Sequence, residues 1–396
     1  MISHPLTVIQ FSTISLPSII VHTVLRYHPV IFKLFCTLCL FTILVLVLLL
    51  PLLSKKISRN MEPFFLLMGI LALTISHFLS GGISGWSSEI VVNALKAPLF
   101  IDSIPFGIFQ VVLIAGLVLS LFYKPFYNFI DSAIKKMGVP VFLFLLIVGL
   151  SLVSSIISVI VASVILSEVM VVLPLERDKK INATIIACFA LGLGAVLTPI
   201  GEPLSLITIA KLSGEPYYAG FTFMFSLLGR YVLPCIIFIA LFGAIYSTRG
   251  VSINNIEMTA DHDPESIKTV LWRSIKIYLF IAGLTFLGEG LMPLVIWYFS
   301  KLPPVLLYWI NMISAVLDNA TLASAEIGPN LSILQIKSAL MGLLISGGML
   351  IPGNIPNILC ADKLKISGKK WAKLGIPMGL VLMVVFFLIL FLPTWL

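Results

Sequence analysis

Apolar residues run through this chain in long unbroken blocks, and the polar positions between them fall in short clusters. That is not the three- and four-residue spacing of a helix lying half in water. Eight blocks, at about 34–53, 61–80, 98–123, 182–213, 226–247, 272–299, 333–363 and 375–395, have the length of a spanning helix. Two other apolar stretches do not read as simple spans. Residues 140–175 are too long for one crossing, and 303–329 are broken by Asp318, Asn319 and the Gly328-Pro329 pair. Each predicts a re-entrant hairpin, entering and leaving on one side, because irregular backbone at membrane depth must be covered by protein or line a watery cavity. Residues 124–138 alternate apolar and basic positions at helical spacing and predict an interfacial helix.

Composition agrees with this pattern. Apolar residues make up 59% of the 396 and charged residues 11%, so an all-α polytopic membrane protein is expected. Charge placement then sets the topology. With the segment after the first span inside and both awkward stretches read as hairpins, eighteen Lys and Arg lie inside, from Lys55 to Lys373. Only Arg26, Lys33, Lys96, Lys211, Arg230, Lys301 and Lys337 lie outside, the asymmetry of the positive-inside rule. Making one hairpin a full span would flip everything after it. The net charge of +8 therefore has a membrane explanation and is no nucleic-acid footprint.

Several function classes drop out. There is no GxxxxGK[ST] motif and no HExxH pair, so the chain is not expected to be an enzyme or an ATP-driven pump on its own. Cys36, Cys39, Cys188, Cys235 and Cys360 read as buried, inert thiols, and the five histidines form no ligand pattern. No cofactor and no metal beyond a transported cation is expected. Residues 1–30 lack a basic n-region and a clear cleavage site, so no signal peptide is assigned.

The two halves match in four blocks of the same order. Leu113–Leu117 lies over Phe280–Leu284, Ser154–Glu168 over Met312–Glu326, Val196–Leu206 over Met349–Leu359, and Ser213–Phe221 over Ser367–Gly375. The third block pairs Pro199 and Pro203 with Pro352 and Pro356. The charge-based topology runs the first copy out-to-in and the second in-to-out, which makes the repeat inverted. The expected organisation is a leader at 1–33, accessory spans at 34–97, a first repeat at 98–247, a cytoplasmic linker at 248–271 and a second repeat at 272–396.

The LDNAT of Leu317–Thr321, the GEP of Gly201–Pro203, and the order hairpin then broken helix resemble the ion transporter superfamily. That group includes sodium/proton antiporters and arsenite pumps, and the chain looks most like its predicted cation transporter branch. The resemblance covers roughly residues 98–396. It implies an inverted-repeat secondary transporter with two re-entrant hairpins and two broken helices, in a cell membrane of the bacterial inner type. It implies one half-site at Asp318, Asn319 and Thr321 with the break at Pro352–Asn357. The other half-site is the break at Thr198–Ser205 with the hairpin around Ser158–Ser163. The first hairpin departs from the pattern: Ile160-Val161-Ala162-Ser163 face Asp318-Asn319-Ala320-Thr321, with no acid or amide.

The chemistry points the same way. A desolvated cation needs hard oxygen ligands, and Glu202 and Asp318, supported by Asn319, Thr321, Asn354, Asn357, Thr198 and Ser205, supply them. A broken helix also offers carbonyls at the end of its first half. No Lys or Arg lies at either break. The expected partners are a monovalent cation, Na⁺ first, and a proton, within membrane lipid; a homodimer is left open. Glu289, Glu326 and Glu168 are candidates for a proton path, the last two also for a shared structural role. The competing reading keeps the fold and carries an organic or inorganic anion with Na⁺ as coupling ion.

Overall fold

The computed structural model describes residues 29–54, 56–57, 60–100, 107–249, 266–299, 302–317 and 319–395, and no strand occurs among them. The helices are α1 (Pro29–Leu53), α2 (Met61–Leu79), α3 (Ser88–Lys96), α4 (Ile108–Leu121), α5 (Tyr123–Met137), α6 (Val139–Ile157), α7 (Val159–Val172) and α8 (Arg177–Ala195). They continue as α9 (Pro203–Lys211), α10 (Phe223–Thr248), α11 (Ile267–Leu294), α12 (Pro304–Ile310), α13 (Asn319–Glu326), α14 (Ile333–Gly347), α15 (Ile355–Lys363) and α16 (Gly368–Trp395). A π-helical turn, Val295–Phe299, extends α11, and 3₁₀ turns at Asn311–Ala315 and Ile351–Gly353 follow α12 and precede α15.

Among the described residues, six helices are long and apolar enough to cross a membrane: α1, α2, α6, α10, α11 and α16. This is a multi-pass α-helical membrane protein. Five of the six fall on expected spans; the sixth, α6, lies in the stretch expected as a hairpin arm. The other three expected spans differ for identifiable reasons. The 182–213 span is split into α8 and α9, and 333–363 into α14 and α15, because each contains Gly and Pro that stop the helical ladder. The 98–123 span shrinks to the 14-residue α4, with residues 101–106 outside the described set. Most of the leader and of the 248–271 linker also lie outside it. The expected interfacial helix is α5, whose Lys135 pairs with Asp131 at 2.7 Å one turn away. All five cysteines are free, four of them buried.

The most extensive helix pair is α2 with α11, and glycines make it possible. A β-carbon on Gly283 would sit 2.6 Å from the Leu66 nitrogen, one on Gly69 2.6 Å from the Gly283 carbonyl, and one on Gly290 2.5 Å from the Leu73 nitrogen. With no hydrophobic gain available between helices in lipid, such close backbone approach supplies dispersion contact instead. Ser76 adds a hydrogen bond to the Gly290 carbonyl at 2.7 Å.

Two units of similar design stand beside this pair. In the first, α6 reverses into α7 at Ser158 alone, whose φ of 81° is a region L-residues rarely enter. The interrupted helix α8–α9 and then α10 follow. In the second, α12 and its 3₁₀ turn lead into α13, then the interrupted α14–α15, then α16. The units are interleaved: α15 packs on α7, and α9 packs on α13.

Contacts gather the cations at two ends. Lys276 with Glu62, Lys363 with Glu168, Lys370 with Asp178, and Arg177 with the Leu364 carbonyl mark one end. Lys33 over Trp297 and Tyr298, and Lys337 over Tyr231, mark the other. The four cations of the first group are among those expected inside, and Lys33 and Lys337 are among those expected outside. The exposed Asp178 carboxyl is held below its ordinary range by the hydrogen bond from Lys370.

Replacing Gly283 with leucine should lower stability by roughly 1–3 kcal/mol, the usual cost of overpacking. Gly149→Leu, where nothing lies within 4 Å, is the control. Thermal unfolding in detergent measures both; equal midpoints for the two variants would contradict close packing at Gly283.

Candidate functional site

Both interruptions are built alike from the residues upward. In the first, α8 ends at Ala195, and Gly201 brings the chain back so closely that a β-carbon on it would lie 1.9 Å from the Ala195 carbonyl oxygen. Glu202 then caps α9 with φ −155° and ψ 156°, and Pro203 starts the helix, where its missing N–H costs nothing. In the second, α14 ends at Gly347, and a β-carbon on Gly353 would lie 2.5 Å from the Gly347 carbonyl oxygen. Asn354 caps α15 with φ −153° and ψ 150°, its Oδ1 accepting from the Ile355 N–H at 2.8 Å. Geometry therefore pairs Gly201 with Gly353, Glu202 with Asn354 and Ser205 with Asn357. Aligning the prolines, as the sequence suggests, slips this by one residue and sets Glu202 against Ile355. The glycine and cap fix the backbone path, whereas proline is tolerated at either of the first two helical positions.

Each interruption rests on the helices that precede it in its own unit. The Val159 N–H at the first tip donates to the Gly201 carbonyl at 2.8 Å, and the Thr198 hydroxyl donates to the Ser155 carbonyl. A β-carbon on Gly194 would lie 1.9 Å from the Ser151 carbonyl, so α6 and α8 touch backbone to backbone. In the second unit, Gly353 is pressed against the Ser314 carbonyl and Ala315. The two interruptions also approach each other: the Asn354 amide lies against Gly192 of α8.

Four carbonyls at the breaks accept side-chain hydrogen bonds. Ser205 Oγ donates to the Val196 carbonyl at 2.9 Å. Asn357 Nδ2 donates to Gly347 and Leu350 at 2.8 Å each, and Trp371 Nε1 to Gly348 at 3.1 Å. Buried backbone polar groups must find partners, and these side chains serve as staples. Thr198, Ser205, Asn354 and Asn357 thus act first on the backbone of the breaks. Glu202 is 4% exposed, at the positive end of α9. Asn319 is buried with its Nδ2 lacking a hydrogen-bond partner, and Thr321 lies against Gly288 of α11, turned toward the neighbouring helix pair. Asp318 lies outside the described residues. No cluster of three His, Cys, Asp or Glu suited to a resident metal occurs among the described residues.

The three remaining acids have unlike surroundings. Glu168 on α7 is bound by Lys363 of α15 at 2.6 Å, with Arg273 of α11 at 3.9 Å, so it ties three elements together at the basic end. Glu326 accepts instead from Asn311 Nδ2 at 2.8 Å, across the arms of its own hairpin. Matching sequence positions have therefore acquired different partners. Glu289 is half-buried on α11, where its backbone carbonyl accepts from Ser84 Oγ at 2.7 Å.

A cavity of about 550 Å³ opens at the basic end, between Glu62, Lys276 and Phe280 on one wall and Ile358, Asp362 and Lys365 on the other. Arg177 and Lys370 also line it. A family described as "Protein of unknown function (DUF1646)" matches residues 37–392. The chain belongs to the DUF1646 family. No curated protein matches this DUF1646 chain.

Sequence reasoning passed over Asn311 and Ser314, which share one face of the turn ending α12 and are fully buried. The signal was present: two polar residues three apart inside the apolar YWINMIS. Replacing Glu168 with glutamine removes the carboxylate 2.6 Å from the Lys363 ammonium and should cost roughly 1.5–3 kcal/mol. The double exchange Glu168→Lys with Lys363→Glu should recover part of it. Thermal unfolding of the two variants decides, and an unchanged midpoint in Glu168→Gln would show that Glu168 does not hold these elements together.

Proposed function

We propose that this protein is a secondary active transporter that exchanges a cation, Na⁺ first, for protons by alternating access. The observation that carries the reading is the pair of interruptions with nearly identical caps, each seated on the helices that precede it in its own unit and each with its second half docked on the opposite unit. Broken helices related by an inverted repeat are the usual way a transporter exposes polar groups at the membrane midplane. Two re-entrant hairpins fit the same evidence. The end of α7 lies by the basic end, with Lys180 donating to the Val171 carbonyl at 2.7 Å. The segment after α13 meets the opposite end, where Tyr217 donates to the Leu331 carbonyl.

In this reading α6–α10 and α12–α16 move against the α2–α11 pair, and the site is made of unlike halves. Glu202 contributes from the first break and Asp318, with Asn319, from the second hairpin. An emptied, desolvated carboxyl holds a proton, and an arriving cation favours the ionised form and displaces it. A cell membrane of the bacterial inner type is the compartment we assign.

The cavity at the basic end favours the second reading, in which the cargo is an anion and Na⁺ the coupling ion. Four cations, Arg177, Lys276, Lys365 and Lys370, line it against two acids, Glu62 and Asp362.

Fluorescence quenching of a pH gradient in inverted vesicles, titrated with Na⁺, Li⁺, K⁺ and Ca²⁺, separates the two. Na⁺-dependent proton movement is expected in the wild type and should be lost in Glu202→Gln and in Asp318→Asn. Full exchange in both variants would sink the cation site. No response to any cation, together with Na⁺-dependent uptake of a labelled dicarboxylate, would establish the anion reading instead.

A further inference from the structure

Among the described residues, four acceptor atoms in the second unit have no hydrogen-bond partner: Glu326 Oε1, Asn311 Oδ1, Ser314 Oγ and Asn357 Oδ1. Their residues are at most 6% exposed. They follow one another through the interior. Glu326 Oε2 takes the Asn311 amide, and the Asn311 carbonyl takes the Ser346 hydroxyl at 2.7 Å. Ser314 is one 3₁₀ turn beyond Asn311, and its hydroxyl faces Gly347, whose carbonyl holds the Asn357 amide. The row thus connects the outer end of α13 with the second interruption.

No basic side chain among the described residues pairs with Glu326; its donor is a neutral amide. An ionised carboxylate so deeply buried and so poorly compensated is costly, and a proton removes the cost. The other two acids are placed differently. Glu168 has an ammonium at 2.6 Å, and Glu289 is carried by α11, outside the units that hold the interruptions. Buried polar atoms left over by the protein are where ordered water sits, and hydroxyls can accept and donate in turn.

We propose that Glu326 is the proton-carrying carboxyl of this protein, and that Asn311, Ser346 and Ser314 form the polar row by which its proton reaches the second interruption. The proposal rests on the exchange reading above. In each cycle the Glu326 O–H bond breaks and the proton leaves along the row to water. The carboxylate left behind is offset by the incoming cation until a proton from the opposite side re-forms the bond.

Infrared difference spectra of wild type and Glu326→Gln, reconstituted in lipid at neutral pH, test the first part. A protonated-carboxyl C=O band present in the wild type and missing in the variant is expected; no such difference overturns the proposal. In vesicles, Glu326→Gln should lose Na⁺-driven proton movement and keep sodium–sodium counterflow of the radiolabelled ion. Ser314→Ala, which leaves Glu326 untouched, should slow proton movement without changing counterflow. Wild-type rates of proton movement in either variant would overturn the corresponding role. A wild type with no Na⁺-driven proton movement would defeat the exchange reading and this proposal together. Exchange that persists in Glu326→Gln defeats this proposal alone.

Discussion

A peptide group inside hydrocarbon has no water to fall back on, and most of this molecule can be understood from where its interrupted helices find their missing partners. Each break would strand carbonyls of α8 or α14 and N–H groups of α9 or α15. Ser205, Asn357 and Trp371 take the carbonyls, Asn354 takes an N–H, and the first hairpin supplies the Val159 N–H to Gly201. The glycines at 194, 201, 347 and 353 follow from the same demand, since only a residue without a β-carbon lets the backbones come near enough.

That requirement separates stapling from function. A polar side chain that holds a carbonyl uses its donor there, while an oxygen such as Asn357 Oδ1 keeps its lone pairs. The two halves also divide the work. The first carries a carboxylate at the cap, Glu202, where the second has the neutral Asn354. The second carries the buried polar row ending in Glu326, where the first has Glu168 tied to Lys363.

The helical membrane class, five of the spans and both breaks were legible in the sequence, because hydrophobic length and Gly/Pro content are local properties. The grouping of Lys276, Lys363 and Lys370 at one end was legible too, since charge alternation between loops encodes it. What the residues did not reveal is pairing across distance. That the Ser205 hydroxyl donates to Val196 is not written in the sequence, and Glu168 reads like Glu326 until Lys363 is seen beside it. The slip of one residue between the proline alignment and the caps has the same origin. Prolines are conspicuous in a sequence, but Gly201 and Gly353 set the path.

The interleaving of the units bears on how the chain is made. The half-helix α9 leans on α13, which is synthesised more than a hundred residues later, and α7 waits equally for α15. The first unit therefore leaves the insertion machinery with one face of α7 and one of α9 uncovered. Its final packing depends on the arrival of the second unit. Topology errors in the second half should be felt as misfolding of the first, and separately expressed halves should be stable only when they meet in the same bilayer.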